Sequence, residues 1–258
     1  MQAVLITGAG RRIGAAIADH LSAKAWHVFI HCHASHEEGE ALAARITARG
    51  GSAEILQANL QEAGATEALI EKCAASSKHE LKALINNAAS FKYDEPKSFN
   101  AELFSELVRV NLMAPAILAQ RFAAHTAARG LKGCIINMLD QKLWNPNTDY
   151  YSYTLTKHAL WGATELMAMA YAPSVRVCAI APGISLPSGD QTAGEFTEAS
   201  RMNLTRAPVS LTDIAKTAEF ILSTPSINGE IIFVDAGQHL VPSKRDVMFI
   251  VREQGGPK

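Results

Sequence analysis

A chain of 258 residues with 48% hydrophobic content can bury one substantial core, and an α/β fold of this size fits in a single domain. Lys and Arg are scattered and the net charge is −1, so neither nucleic acid nor a membrane surface is expected as a partner. No apolar run reaches the roughly eighteen residues a spanning helix needs, and Met1 to Ile6 reads as a first strand rather than a targeting leader. Cys32, Cys73, Cys134 and Cys178 are isolated with no CxxC pair, which suits reduced core cysteines of a cytoplasmic protein.

In chain order, Val4-Leu5-Ile6 is an apolar strand that runs into the turn Gly8-Ala9-Gly10-Arg11-Arg12-Ile13-Gly14 and then a helix from Ile13 to about Ala25. Gly8 and Gly10 let a backbone turn tightly against a pyrophosphate, Gly14 lets helix and strand pack closely, and the helix N-terminus attracts an anion. Val28-Phe29-Ile30 is the second strand, and no carboxylate follows it before Glu37. A site for an unphosphorylated ribose commonly places an acid there. Here Arg11, Arg12, His31, His33 and Ser35 offer cationic and hydroxyl partners to a 2′-phosphate, so NADPH is the expected cofactor. A metal site at His31-Cys32-His33 with His36 is the competing reading, but a strand alternates faces and no further ligand stands at the right spacing, so no metal is expected.

Glu37 to Arg49 is an amphipathic helix with Leu42 and Ile46 on one face, stopped by Gly50-Gly51. Ala53 to Leu56 is a third strand leading to Asn59-Leu60, where Asn59 suits either a base edge or a turn. A helix from Ala63 to about Ser77 precedes the fourth strand, Leu84-Ile85-Asn86. Phe99 to Arg129 is a helical stretch interrupted around Asn111 and Pro115.

The stretch from Cys134 to Lys157 carries the chemistry. Cys134 to Met138 has the length and content of a buried parallel strand, a loop with Asn145-Pro146-Asn147 follows, and a helix begins near Tyr151. Tyr153 and Lys157, four apart, share one helix face, where an ammonium favours the phenolate and lowers the phenol's pKa. Taken alone, the spacing is a weak signal and far more often that of an ordinary surface helix.

Val175 to Ile180 is a further strand ended by Ala181-Pro182-Gly183, which puts Ile184 to Pro187 at the carboxyl end of the sheet, where open α/β folds bind ligands. Gly189 to Met202 has the composition of a mobile cover or of an ordinary surface loop. A helix starts at Leu211 to Ala215, with Thr212 or Asp213 able to cap it, and Ile227 to Val234 contains the last strand. Beyond Leu240 the residues have no evident role, although Met248 to Val251 could add a short strand or reach a neighbouring subunit.

Together, the glycine turn, Asn86-Asn87-Ala88-Ala89, Asn111, Tyr153 with Lys157, and Pro182-Gly183 resemble the short-chain dehydrogenase/reductase family along most of the chain. The family implies a Rossmann-type, doubly wound, mostly parallel seven-stranded sheet in a three-layer α/β/α arrangement, here residues 1–240 as one NADP-binding domain with a tail at 241–258. It implies that Tyr153 donates a proton, Lys157 lowers its pKa and holds the nicotinamide ribose, and Asn111 holds a water chain. It also implies a homotetramer. The implied cofactor contacts are Gly8, Gly10, Arg12, Ile13, His31, His33, Ser35, Asn59, Leu60, Asn87, Ala88, Ser90, Met138, Tyr153, Lys157, Pro182, Gly183 and Ser185.

One departure is informative. Thirteen residues before the tyrosine the family usually has a serine that bonds the substrate carbonyl, and here it is Asp140. An ionised carboxylate only accepts hydrogen bonds and repels a developing oxyanion, so a weakened site is one reading. Aspartate there, with Arg12, His31-Cys32-His33-Ala34-Ser35 and Asn87-Ala88-Ala89-Ser90-Phe91, resembles the pteridine reductases, including the bacterial dihydromonapterin reductases, though Ala34 replaces their usual arginine. That resemblance implies reduction of a dihydropterin by NADPH, with Phe91 stacking on the pterin and Asp140, Tyr153 and Leu186 completing the substrate site. The alternatives are a carbonyl or enoyl reductase of the same fold and a non-catalytic NADP-binding sensor. Intact Tyr153 and Lys157 speak against the sensor.

Overall fold

The computed structural model describes residues 1–75 and 78–255. Its first half runs β1 (Gln2–Ile6), α1 (Arg12–Ser22), β2 (His27–Cys32), α2 (His36–Ala48), β3 (Ser52–Gln57), α3 (Ala63–Ala75), β4 (Glu80–Asn86), α4 (Ala101–Val108) and α5 (Ala114–Ala128). The second half runs β5 (Gly133–Met138), α6 (Tyr151–Ala170), β6 (Val175–Pro182), α7 (Ala193–Ala199), α8 (Leu211–Ser223), β7 (Ile231–Val234) and α9 (Val247–Gly255). The expected helix end at Ser77 lies outside the described residues.

The strands form one seven-stranded sheet ordered β3-β2-β1-β4-β5-β6-β7, with every neighbouring pair parallel. Strand order reverses between β1 and β4, and ligands of doubly wound sheets bind in the crevice at such a reversal. Burial on both faces explains why β2 and β5 read as near-continuous apolar runs: all of their residues are buried. The pleat sorts those residues. Val28 and Ile30 join Ile17, Leu42 and Ile214 in one core layer, whereas Phe29 joins Leu69, Leu118 and Phe122 in the other.

The helical stretch containing Asn111 breaks where the sequence predicts, and the structure gives the cause. Arg109–Met113 forms a π-helical turn between α4 and α5, and Pro115, near the start of α5, has no N–H to return to the carbonyl four residues earlier. Two local expectations are corrected. Ser210, two residues before Thr212, accepts from the Thr212 N–H and caps α8 in place of the expected Thr212 or Asp213. The Met248 to Val251 run is helix α9, because Val247 and Val251 bury one helical face against Ala199 while Met248 packs on Tyr150 and Tyr153. Four apolar residues in a row do not distinguish a strand from a helix; the partner surface does. The segment from Gly189 to Met202 contains α7, started by a reciprocal cap between Thr192 and Glu195.

Candidate active site

The carboxyl ends of the strands and their following loops enclose a cleft of about 840 Å³. At one end lies the β1–α1 turn. Gly8 has φ +63°, and a Cβ there would stand 2.9 Å from the Ala88 Cα, so only glycine lets this turn lie against the end of β4. Asn87 braces the contact, its Nδ2 donating to the carbonyls of Thr7 at 2.9 Å and Gly8 at 3.1 Å. The Thr7 hydroxyl in turn accepts from the N–H groups of Asn87 and Ala88, both at 3.0 Å.

His31 has a different part from the one the sequence predicts. The Gly8 N–H donates to its Nδ1 at 3.1 Å, which leaves Nε2 as the protonated nitrogen, facing the Ala58 carbonyl at 3.2 Å. The ring is 2% exposed, and burial pushes its pKa down to about 4. A neutral strut of this kind cannot be a cationic partner for a phosphate. That work is left to the rim, where Arg11, Arg12, His33 and Ser35 line the cleft with no carboxylate among them. The donor set therefore fits a 2′-phosphate. Arg12 sits at φ +58°, and its Nη1 donates to the Pro187 carbonyl at 2.8 Å across the cleft mouth. Burial and then the neighbouring Arg11 charge lower its pKa. Ile13 and Leu60 line the cleft too. Asn59 does so as a turn residue, its side chain engaged by the Gln61 N–H at 3.1 Å and by Glu62 at 3.0 Å.

Four of the expected contacts do not reach the cleft wall: Gly10, Asn111, Met138 and Lys157. Gly10 packs beneath Ser35, whose carbonyl would lie 2.7 Å from an added Cβ. Asn111 is 1% exposed and binds protein rather than facing solvent, accepting from the Ser90 N–H at 2.8 Å and donating to the Ser90 carbonyl at 2.9 Å and the Thr156 hydroxyl at 3.1 Å. It ties the loop after β4 to α6. Ser90, Pro182, Gly183, Ser185 and Leu186 line the cleft.

The centre of the cleft holds Asp140 and Tyr153. The Tyr153 hydroxyl donates to Asp140 Oδ2 at 3.0 Å, while Asp140 Oδ1 accepts from the Lys142 N–H at 2.9 Å and so fixes the carboxylate. The expected depression of the Tyr153 pKa is reversed: burial first, then the Asp140 charge and hydrogen bond, raise it well above the usual tyrosine value. Lys157 is farther off. Its Nζ donates to the Met138 carbonyl at 2.6 Å and stands 5.7 Å from the Tyr153 ring centroid. Burial pulls its own pKa down to about 8, against the attraction of Asp140. Phe91, 41% exposed, stacks on Tyr150 at 4.1 Å and meets Tyr153 edge-on at 4.7 Å.

The far wall comes from the segment for which the sequence offers no role. Arg245, Asp246, Val247 and Met248 line the cleft. Asp149, 1% exposed, holds them there: it accepts from Arg245 Nε at 3.1 and 3.0 Å and from the Asp246 N–H at 2.6 Å. Arg252 of α9 bonds Glu195 at 2.9 Å and Asp190 at 2.8 Å, coupling the tail to α7. These pairs join positions 57 to 97 residues apart, and nothing in the local sequence marks them. Among the described residues, no group of three or more His, Cys, Asp or Glu is arranged to hold a metal ion, and no helix is long and apolar enough to cross a membrane.

This architecture has known counterparts. The structure is similar to those of FolM alternative dihydrofolate reductase 1 from Brucella canis complexed with NADP (TM-score 0.89, 36% identity, 95% of this chain and 96% of that one). The same enzyme from Brucella suis, also in complex with NADP, matches at TM-score 0.89 and 36% identity, over 95% of this chain and 98% of that one. Among curated proteins, pteridine reductase 1 of Leishmania tarentolae is 29% identical (92% of this chain, 96% of the relative), and 3-oxoacyl-[acyl-carrier-protein] reductase of Staphylococcus aureus is 28% identical (93% and 98%). Residues 2–197, from β1 into α7, match the family model described as short chain dehydrogenase, and the chain belongs to that family.

Proposed function

We propose that the protein is an NADPH-dependent pteridine reductase that converts a dihydropterin to its tetrahydro form. The family makes it an oxidoreductase, and the hydrogen bond from Tyr153 to Asp140 carries the rest. A carboxylate in place of a hydroxyl cannot donate to a carbonyl oxygen. Bonded to a buried phenol, it can accept a proton from water and hold it beside the Tyr153 hydroxyl, which suits a substrate whose ring nitrogen must be protonated as a C=N bond is reduced. Phe91, part of an aromatic group with Tyr150 and Tyr153, gives a flat heteroaromatic ring a surface to stack on. The names of the Brucella and Leishmania relatives agree with this chemistry.

NADPH, when bound, supplies the hydride. The residues that would hold it are Gly8, Arg12, Ile13, His33 and Ser35 at the phosphates, Asn59 and Leu60 at the adenine, and Asn87, Ala88, Ser90, Pro182, Gly183 and Ser185 along the nicotinamide half, all on the cleft wall. Tyr153 gives its proton to the ring nitrogen and regains one through its bond to Asp140, which takes it up from water, while Lys157 stays held on the Met138 carbonyl. Asn111 fixes the Ser90 loop that the cofactor would rest on. A homotetramer, as the family implies, is part of this proposal, and light scattering reads it directly.

The test is NADPH oxidation with dihydromonapterin, dihydrobiopterin and dihydrofolate beside simple ketones, with NADH as control. Turnover of the pterins with preference for NADPH is expected. Turnover of ketones alone would replace the pterin reading with a carbonyl reductase, and equal kcat/KM for NADH would refute the phosphate site.

A further inference from the structure

Resting on the pteridine reductase reading, we propose that Lys142 and Asp246 form a polar pair that reads hydroxyl groups on the C6 side chain of a dihydropterin. The pair would make a polyhydroxyalkyl dihydropterin the preferred substrate over one bearing an aryl substituent. The argument begins with the bond that reacts. In a 7,8-dihydropterin the reducible bond is C6=N5: hydride goes to C6, the proton goes to N5, and the side chain is carried by C6 itself. A proton donor facing N5 therefore has the side chain emerging beside it, and the groups next to Tyr153 and Asp140 decide which side chains fit.

Those groups are Lys142 and Asp246. The Lys142 N–H is bonded to Asp140 Oδ1 at 2.9 Å. Asp246 accepts from the Met248 N–H at 3.1 Å, and Met248 packs in the same cluster as Tyr153. Both residues line the cleft with Asp140 and Tyr153. Lys142 is 5% exposed, its Nζ donates to the Asp149 carbonyl, and it stands 4.0 Å from Asp246 Oδ2. That separation is wider than a hydrogen bond. The two charges stand in ion-pair range without a direct hydrogen bond, which leaves N–H groups on the ammonium and lone pairs on Asp246 Oδ2 for a third group. A hydroxyl is both donor and acceptor, so it can accept from Lys142 and donate to Asp246 at once. An aryl group can do neither.

The ordinary role of Asp246 is to cap α9 and balance Lys142. Asp246→Asn separates the two roles, because its side-chain oxygen still accepts from the Met248 N–H. The experiment measures kcat and KM for wild type, Asp246→Asn and Lys142→Met with dihydromonapterin and with 6-methyl-7,8-dihydropterin, which has no hydroxyl. Losing a hydrogen bond to a charged group should raise KM for dihydromonapterin roughly ten- to a hundredfold, while kcat/KM for the 6-methyl compound and KM for NADPH stay near wild type. Equal losses on both pterins, or no loss on either, overturn the pair. Wild type itself provides a check without mutation: equal kcat/KM for the two compounds also overturns it while leaving the pteridine reductase reading intact. Absence of turnover with every pterin removes that reading and this inference together.

Discussion

His31 offers the sharpest quantitative test, because the structure gives it one job and a pKa that follows from it. The ring is 2% exposed and held neutral between the Gly8 N–H and the Ala58 carbonyl, with its pKa pushed from 6.5 down to about 4. The unfolded chain binds a proton here below about pH 6.5 and the folded chain does not until about pH 4, so stability falls as pH is lowered through that window. At 1.36 kcal/mol per pKa unit the full linkage is about 3.4 kcal/mol, of which about 2 kcal/mol is already lost at pH 5. For a chain of this size that corresponds to a fall in Tm of roughly 4–8 °C. The assay is urea unfolding of wild type and His31→Gln at pH 8 and pH 5, taking the difference between proteins so that other titrating groups cancel. The variant should be less stable at pH 8 and lose about 2 kcal/mol less on acidification. Parallel losses in the two proteins would refute the neutral strut, as would a ring titration near 6.5 followed by NMR.

Three further outcomes follow from the cleft. Asp140→Asn cannot take up a proton to pass to Tyr153, so kcat for the pterin should drop about a hundredfold or more with an altered pH profile; full kcat with an unchanged profile would discard the relay. Phe91→Ala should raise KM for the pterin more than KM for NADPH, and equal effects would indicate a packing defect instead. Arg245→Ala leaves the buried Asp149 carboxylate with its strongest partner removed, a loss of about 2–4 kcal/mol. Much of it should appear as local opening of the tail, read as faster hydrogen exchange in α9 than in β1; unchanged exchange there would show that the pair does not hold the segment.

Much of the molecule is written in local patterns. The period-2 and period-3.6 signals, the glycine turn and the proline break near Asn111 act over a few residues, so the alternation of strands and helices and the placing of Tyr153 and Lys157 on one helix face follow from the amino-acid order alone. The lack of an acid at the end of β2 is equally local, and with it the case for a phosphorylated ribose. Only the tertiary structure decides which neighbours share a buried space. His31 becomes a strut because Gly8 and Ala58, distant in sequence, converge on its two nitrogens. The Tyr153 pKa rises because the phenol is buried and because Asp140, not Lys157, is bonded to it. The tail becomes a wall of the cleft because Asp149, deep in the loop before α6, pairs with an arginine 96 residues away. Burial and long-range pairing set the energy of a charge, and neither is a property of a short stretch of sequence.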